Sequence, residues 1–196
     1  MTLLLTTAAC ALAVSVLCAY AARRHGMRIE LLRPHVLLIA AVCIIAVLVS
    51  RDRGLPSIAI LAVCAVCAVS DLQTGYIFDA AIAPAAAMFA LLCIFGGNIE
   101  FYGAGAAVGG GIPLLLFIAT RGSGIGFGDV KLGCCIGVLG AAAAMQVIEA
   151  AFIAGGAVAL VLLARHGRGA RRMEIPFAPF LFAGVVYNAL MSRGSL

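Results

Sequence analysis

No tryptophan occurs in the 196 residues, and only 11% of them are charged. A water-soluble domain carries roughly 25% charged residues, so composition argues against a soluble fold. The chain also lacks an internal repeat and any long linker, which leaves no room for a separate soluble domain. Histidine is rare. His25, His35 and His166 lie in or beside basic loops, and none has the carboxylate or cysteine neighbours of a metal ligand or catalytic base. The net charge of +5 comes without a basic helix or an aromatic platform, which argues against nucleic acid as a partner.

What fills the chain is apolar: 65% of residues are hydrophobic. Runs of about 17–25 such residues cross the hydrocarbon core as helices. Eight candidate spans can be marked, at 2–22, 35–50, 56–70, 79–96, 103–120, 130–145, 147–164 and 176–191. They predict an all-α polytopic membrane protein with about eight transmembrane helices and the lipid bilayer as its surroundings. The sixth and seventh spans are separated only by "MQVIE". The first run has no basic region before it and "RRH" after it, so it reads as a retained helix rather than a secretory signal.

The loop charges give the orientation. With eight crossings and an outside N-terminus, the cytoplasmic segments hold Arg23, Arg24, Arg28, Arg33, Arg121, Lys131, Arg165, Arg168, Arg171 and Arg172. The outer segments hold Arg51, Arg53 and Arg193. Ten against three agrees with the excess of basic residues on the cytoplasmic side of membrane proteins, and it places both termini outside the cytoplasm. "RHGRGARRME" (165–174) reads as a solvated cytoplasmic loop.

The eight cysteines all fall in apolar stretches. "CAVC" (64–67) has a C-x-x-C spacing that zinc or redox chemistry uses, but it lies inside a hydrophobic run, lacks a second pair and has no histidine beside it. These cysteines read as small membrane-buried residues, with no metal site and no disulfide framework.

The acidic residues are Glu30, Asp52, Asp71, Asp79, Glu100, Asp129, Glu149 and Glu174. Asp79 reads as the cap of the fourth span. Asp71 and Asp129 each stand at a predicted helix end beside an apolar run. Two crossings separate them, so both face the cytoplasm at similar depth. Two carboxyls sharing a site cannot both ionise readily, so one keeps its proton. One ionised and one protonated carboxyl can activate water and protonate a leaving amine. Gly126 and Gly128, just before Asp129, remove side chains where a substrate backbone would approach. A helix N-terminus at Asp129 and a C-terminus at Asp71 favour Asp129 as base and Asp71 as acid. Spacing and topology leave the plainer reading open as well, since two interfacial aspartates are more often structural caps.

The residues then resemble a known family. "GIGFGDVKL" (124–132) resembles the G-x-G-D motif of the prepilin peptidases, or type IV leader peptidases. "DLQTGYIFD" (71–79) is similar to their first aspartate segment, and "EIPFAPFLFAG" (174–184) to the segment that opens their last helix. Three matches in order cover about 56–191. The resemblance implies a six-helix membrane aspartyl peptidase core over 56–196, preceded by a pair of membrane helices with a short basic loop in 1–55. It implies an endopeptidase in the cell (inner) membrane that cuts the basic leader from type IV prepilins or pseudopilins at the cytoplasmic face, for pilus assembly or protein secretion. Asp71 and Asp129 map onto the catalytic aspartates, Gly126 and Gly128 onto the motif glycines, and Lys131 onto a frequent companion. No cofactor is expected.

Two departures from the family pattern stand out. Phe78 replaces the proline of the first motif. Larger members carry a methyltransferase region with paired cysteines after the first helix, whereas the loop 23–35 here is short and has none, so cleavage without N-methylation is expected. The rivals are a presenilin-like intramembrane protease, whose first aspartate follows Tyr where this chain has Ser70, and a non-enzymatic transporter or inactive assembly subunit using the aspartates as a proton relay.

Overall fold

A computed structural model describes Ala41, Ile44, residues 55–167, Gly169, Met173 and residues 175–191. The first two expected spans and the loop between them, with His25 and His35, lie outside the described residues apart from Ala41 and Ile44. Most of 168–174 lies outside them too.

Among the described residues all regular structure is helical. The order is α1 (Leu55–Thr74), α2 (Asp79–Phe95), α3 (Ile99–Ala119), α4 (Phe127–Ile136), a 3-10 turn (Gly137–Leu139), α5 (Ala141–His166) and α6 (Ala178–Met191). Three helices are long and apolar enough to cross a membrane: α1, α3 and α5, with mean hydropathies of 2.1, 1.7 and 2.3. The helices α2 and α6 are apolar but shorter, at 17 and 14 residues.

Apolar on every side, α1 suits the centre of a bundle better than its edge. It occupies the centre, with Ile58, Ile60, Leu61, Cys64, Cys67 and Ala68 almost wholly buried. The helices α2, α4 and α6 pack against it, α5 packs on α6 and α3, and α3 lies along α4. Large apolar side chains that remain exposed, among them Ile94, Phe95, Leu115, Ile118, Ile153 and Leu160, belong to α2, α3 and α5. Such a surface suits hydrocarbon, not water.

The helices α3 and α4 meet through glycines. A Cβ on Gly109 would strike the carbonyl oxygen of Gly133, and a Cβ on Gly133 would strike that of Gly109. One turn away, a Cβ on Gly105 would strike the Gly137 carbonyl oxygen, and a Cβ on Gly137 would strike the backbone at Gly105 and Ala106. The small residues let two backbones touch, as at close helix crossings in membranes.

The sixth and seventh expected spans are corrected here. In place of a helix over 130–145 the chain forms the ten-residue α4 and one 3-10 turn, and "MQVIE" lies inside the 26-residue α5. The break is at Gly140, with φ +88° and ψ 163°, a region that only glycine enters freely. The Phe101 ring fills the space where its Cβ would stand. Met, Gln, Val, Ile and Glu carry no such break, and Met, Gln and Glu form helix readily. Gly140→Ala is expected to lower stability by about 1–3 kcal/mol. Thermal unfolding in detergent checks this, and an unchanged midpoint would contradict the assigned break.

Candidate active site

The last turn of α1 is built by short polar residues. Gly75, at φ +64°, ends the helix and donates its N–H to the Asp71 carbonyl oxygen at 2.8 Å. Thr74 Oγ1 donates to the Ser70 carbonyl at 2.8 Å, and Ser70 Oγ donates to the Tyr76 carbonyl at 2.7 Å. Together these bonds fold the chain back over the end of α1 and leave Asp71 facing inward, 8% exposed. Ile77 and Phe78 follow, both buried. The φ of Phe78 is −74°, within the range proline imposes. The backbone therefore takes the course that a proline would give it, and the Phe78 ring packs edge-on to Tyr76 with centroids 5.3 Å apart.

Asp129 stands in the first turn of α4. The backbone of Gly126, at the N-cap, is extended. Its carbonyl accepts from the Asp129 N–H at 3.1 Å, and its own N–H donates to Asp129 Oδ2 at 3.2 Å. The carboxyl thus supplies the returning half of a capping box. Its other oxygen, Oδ1, is buried and has no hydrogen-bond partner among the described residues. Gly128 fits against the connector, since a Cβ there would sit 3.0 Å from Ile77 Cβ.

One cavity of about 190 Å³ gathers these groups. Asp71, Asp129, Gly126, Gly128 and Lys131, the five residues singled out from sequence, all line it, and Asp79 joins them. A larger cavity of about 320 Å³ lies toward the other end of α1, beside Pro56 and Leu61, and has no carboxylate in its lining.

Two features escaped the sequence reading. Asp79 does not cap α2. The N-cap is Phe78, and Asp79 instead pairs with Lys131, Oδ1 to Nζ at 2.6 Å. The second feature concerns Asp71, whose Oδ2 accepts the Ala178 N–H at 3.0 Å inside the protein. Ala178 opens α6, so Asp71 sits at a helix N-terminus as well as at the C-terminal end of its own helix. "IPFAP" could have signalled a helix start there, but nothing local told which residue it would face.

Each carboxyl therefore faces a helix N-terminus, Asp129 in the first turn of α4 and Asp71 at the head of α6. A helix N-terminus stabilises negative charge, and Asp71 has that neighbour in addition to standing near the C-terminal end of its own helix. Asp129 lies outside the three helices that, among the described residues, are long and apolar enough to cross a membrane. Its carboxyl is pushed up to about 7, first by burial and then by the charge of Asp71, against the opposing Gly126 N–H. The two carboxyls titrate jointly.

The sign of the resulting pH dependence follows. The folded carboxyl of Asp129 titrates near 7 and the unfolded one near 3.8. Protonation therefore favours folding, and the stabilisation present below about pH 4 is lost as pH rises towards 7. Thermal stability of the solubilised protein should fall over that interval, and Asp129→Asn should flatten the fall. Identical profiles for the two proteins would mean that Asp129 stays ionised in the fold.

The sequence profile of the type IV leader peptidase family matches residues 58–163, more than half of the chain. The prepilin leader peptidase/N-methyltransferases of Burkholderia pseudomallei strains 1026b and K96243 are each 41% identical over 128 residues, covering 58% of this chain and 39% of theirs. The chain thus matches about two fifths of the length of those relatives. No solved structure matches it.

Proposed function

Because the chain belongs to the type IV leader peptidase family, we propose that it is a membrane-embedded aspartic endopeptidase that removes the basic leader of type IV prepilins or pseudopilins at the cytoplasmic face of the inner membrane. The observation that carries the reading is the meeting of Asp71 and Asp129, from different helices, at one small cavity edged by glycines. Apolar helices and family membership support a membrane protein. The reading adds to the described bundle the two N-terminal helices in 1–55, for about eight helices in all with the six-helix peptidase core at 56–196.

In the proposed reaction Asp71 is the base and Asp129 the acid. Water attacks the scissile carbonyl carbon and gives its proton to Asp71, while the proton of Asp129 passes to the leaving nitrogen as the C–N bond breaks. A proton returned from Asp71 through solvent to Asp129 resets the pair. Gly126 leaves room for the substrate backbone beside Asp129, while Gly128 lets the first turn of α4 pack on Ile77. The charge balance of the loops supports a cytoplasmic active site. Cleavage proceeds without N-methylation, since the loop 23–35 is short and free of cysteine.

The test is cleavage of a co-expressed prepilin by the wild-type chain and by chains carrying Asp71→Asn or Asp129→Asn. Wild-type cleavage in both variants would end the reading. Methylated product from the purified protein would end the part of it that excludes methyl transfer.

A further inference from the structure

We propose that Asp79 and Lys131 form a positioning tie that sets the separation of the two aspartates; the inference rests on the peptidase reading and adds two working residues to it. Each partner is carried on one aspartate segment. Asp79 opens α2, at the far end of the short connector that leaves Asp71, and Lys131 lies two residues after Asp129 on α4. Their 2.6 Å bond joins the two segments across 52 positions of sequence, at the edge of the cavity that both line.

Energetics argue that the bond does not hold the bundle up. The side chains are 71% and 39% exposed for Asp79 and Lys131, and exposed ion pairs add little to stability. The buried core is formed by other residues. What the bond does constrain is local. Lys131 Nζ lies 5.2 Å from the centre of the Phe127 ring, in the same first turns of α4 that hold Asp129. Gly128, between them, lies so near Ile77 of the connector that an added Cβ would stand 3.0 Å from Ile77 Cβ. Ion pair and glycine contact together clamp the Asp71 connector to the Asp129 turn at two points. A displacement of reacting groups by about 1 Å can slow a reaction roughly 100-fold, so a bond with little thermodynamic weight can still carry a large kinetic one.

The charged and titratable groups lining the cavity are Asp71 from α1, Tyr76 from the connector, Asp79 from α2, and Asp129 and Lys131 from α4. From α6 comes the Ala178 N–H on Asp71. Removing one partner of the tie leaves the other charge unpaired beside the aspartates, and the two removals act with opposite sign. Asp79→Asn frees a cation and should move the pH–activity profile to lower pH. Lys131→Gln frees an anion and should move it to higher pH. Each shift should be roughly a few tenths of a pH unit for charges this exposed.

The experiment measures cleavage of a type IV prepilin, its basic leader ending in glycine, by purified full-length protein in detergent micelles. Wild type, Asp79→Asn, Lys131→Gln, the double variant and Asp71→Asn are compared, with a melting curve for each. The tie predicts that each single variant melts like wild type and loses kcat roughly 10- to 100-fold with little change in KM. It also predicts opposite pH shifts and a double variant no slower than the slower single one. Losses that multiply in the double variant, shifts of the same sign, or wild-type kcat in the singles would overturn it. Activity in Asp71→Asn would instead overturn the peptidase reading, so the two failures are distinct.

Discussion

Asp71→Asn and Asp129→Asn will each reduce prepilin cleavage by about 10²–10⁴-fold, the contribution of a positioned acid or base. Neither residue can stand in for the other, because residues that act as a unit are lost as a unit. Their effects on the fold will differ, which separates catalysis from architecture. At Asp71 the amide oxygen of Asn can still accept the Ala178 N–H, so the start of α6 stays held. Asp71→Ala removes that acceptor and leaves a buried donor unpaired, at about 1–3 kcal/mol. At Asp129 the charge is itself the burden above pH 7, and Asp129→Asn should melt higher than wild type there. The expected pattern is therefore three inactive proteins, of which only Asp71→Ala is clearly less stable. Cleavage assays on a co-expressed prepilin and melting curves in detergent decide it. Retained cleavage by the Asn variants would falsify the two-aspartate chemistry.

The second large effect is expected far from any carboxyl. A methyl group on Gly133 has no free space, because the obstacle is the Gly109 carbonyl oxygen and not a side chain that could rotate away. Gly133→Ala must push α4 off α3, at about 1–3 kcal/mol for overpacking. Asp129 lies one turn before Gly133 on the same ten-residue helix, so the displacement reaches it directly. A loss of cleavage of roughly 100-fold is expected from a 1 Å shift. Gly111→Ala supplies the control, since a Cβ at that position of the same α3 helix would meet nothing within 4 Å; it should leave cleavage unchanged and melting unchanged or slightly raised. If Gly133→Ala matched Gly111→Ala on both measurements, the backbone contact would have no role in placing α4.

Much of the described bundle was legible in apolar runs alone. The expected spans at 56–70, 79–96, 103–120 and 176–191 lie within a few residues of α1, α2, α3 and α6. Length and hydrophobicity decide such helices locally. Between Val130 and Ala164 they do not, since glycine and alanine suit a continuous span as well as a broken one. There the break depends on Gly140 and on Phe101, which comes from a distant part of the chain. Asp71 and Asp129 could be picked out because helix-end carboxyls flanked by apolar runs and glycines are rare in so uncharged a sequence. The N–H that meets Asp71 could not, because it comes from Ala178, 107 residues further along the chain. Asp79 misled for a related reason. Its position at the head of a helix was plain, but its partner arrives from α4.

The bond between Asp71 and the head of α6 also has a meaning in time. A ribosome delivers Asp71 107 residues before Ala178, and the N–H that meets the carboxyl is in place only once α6 has docked. Until then the first aspartate lacks its anchor, even with Asp129 already inserted.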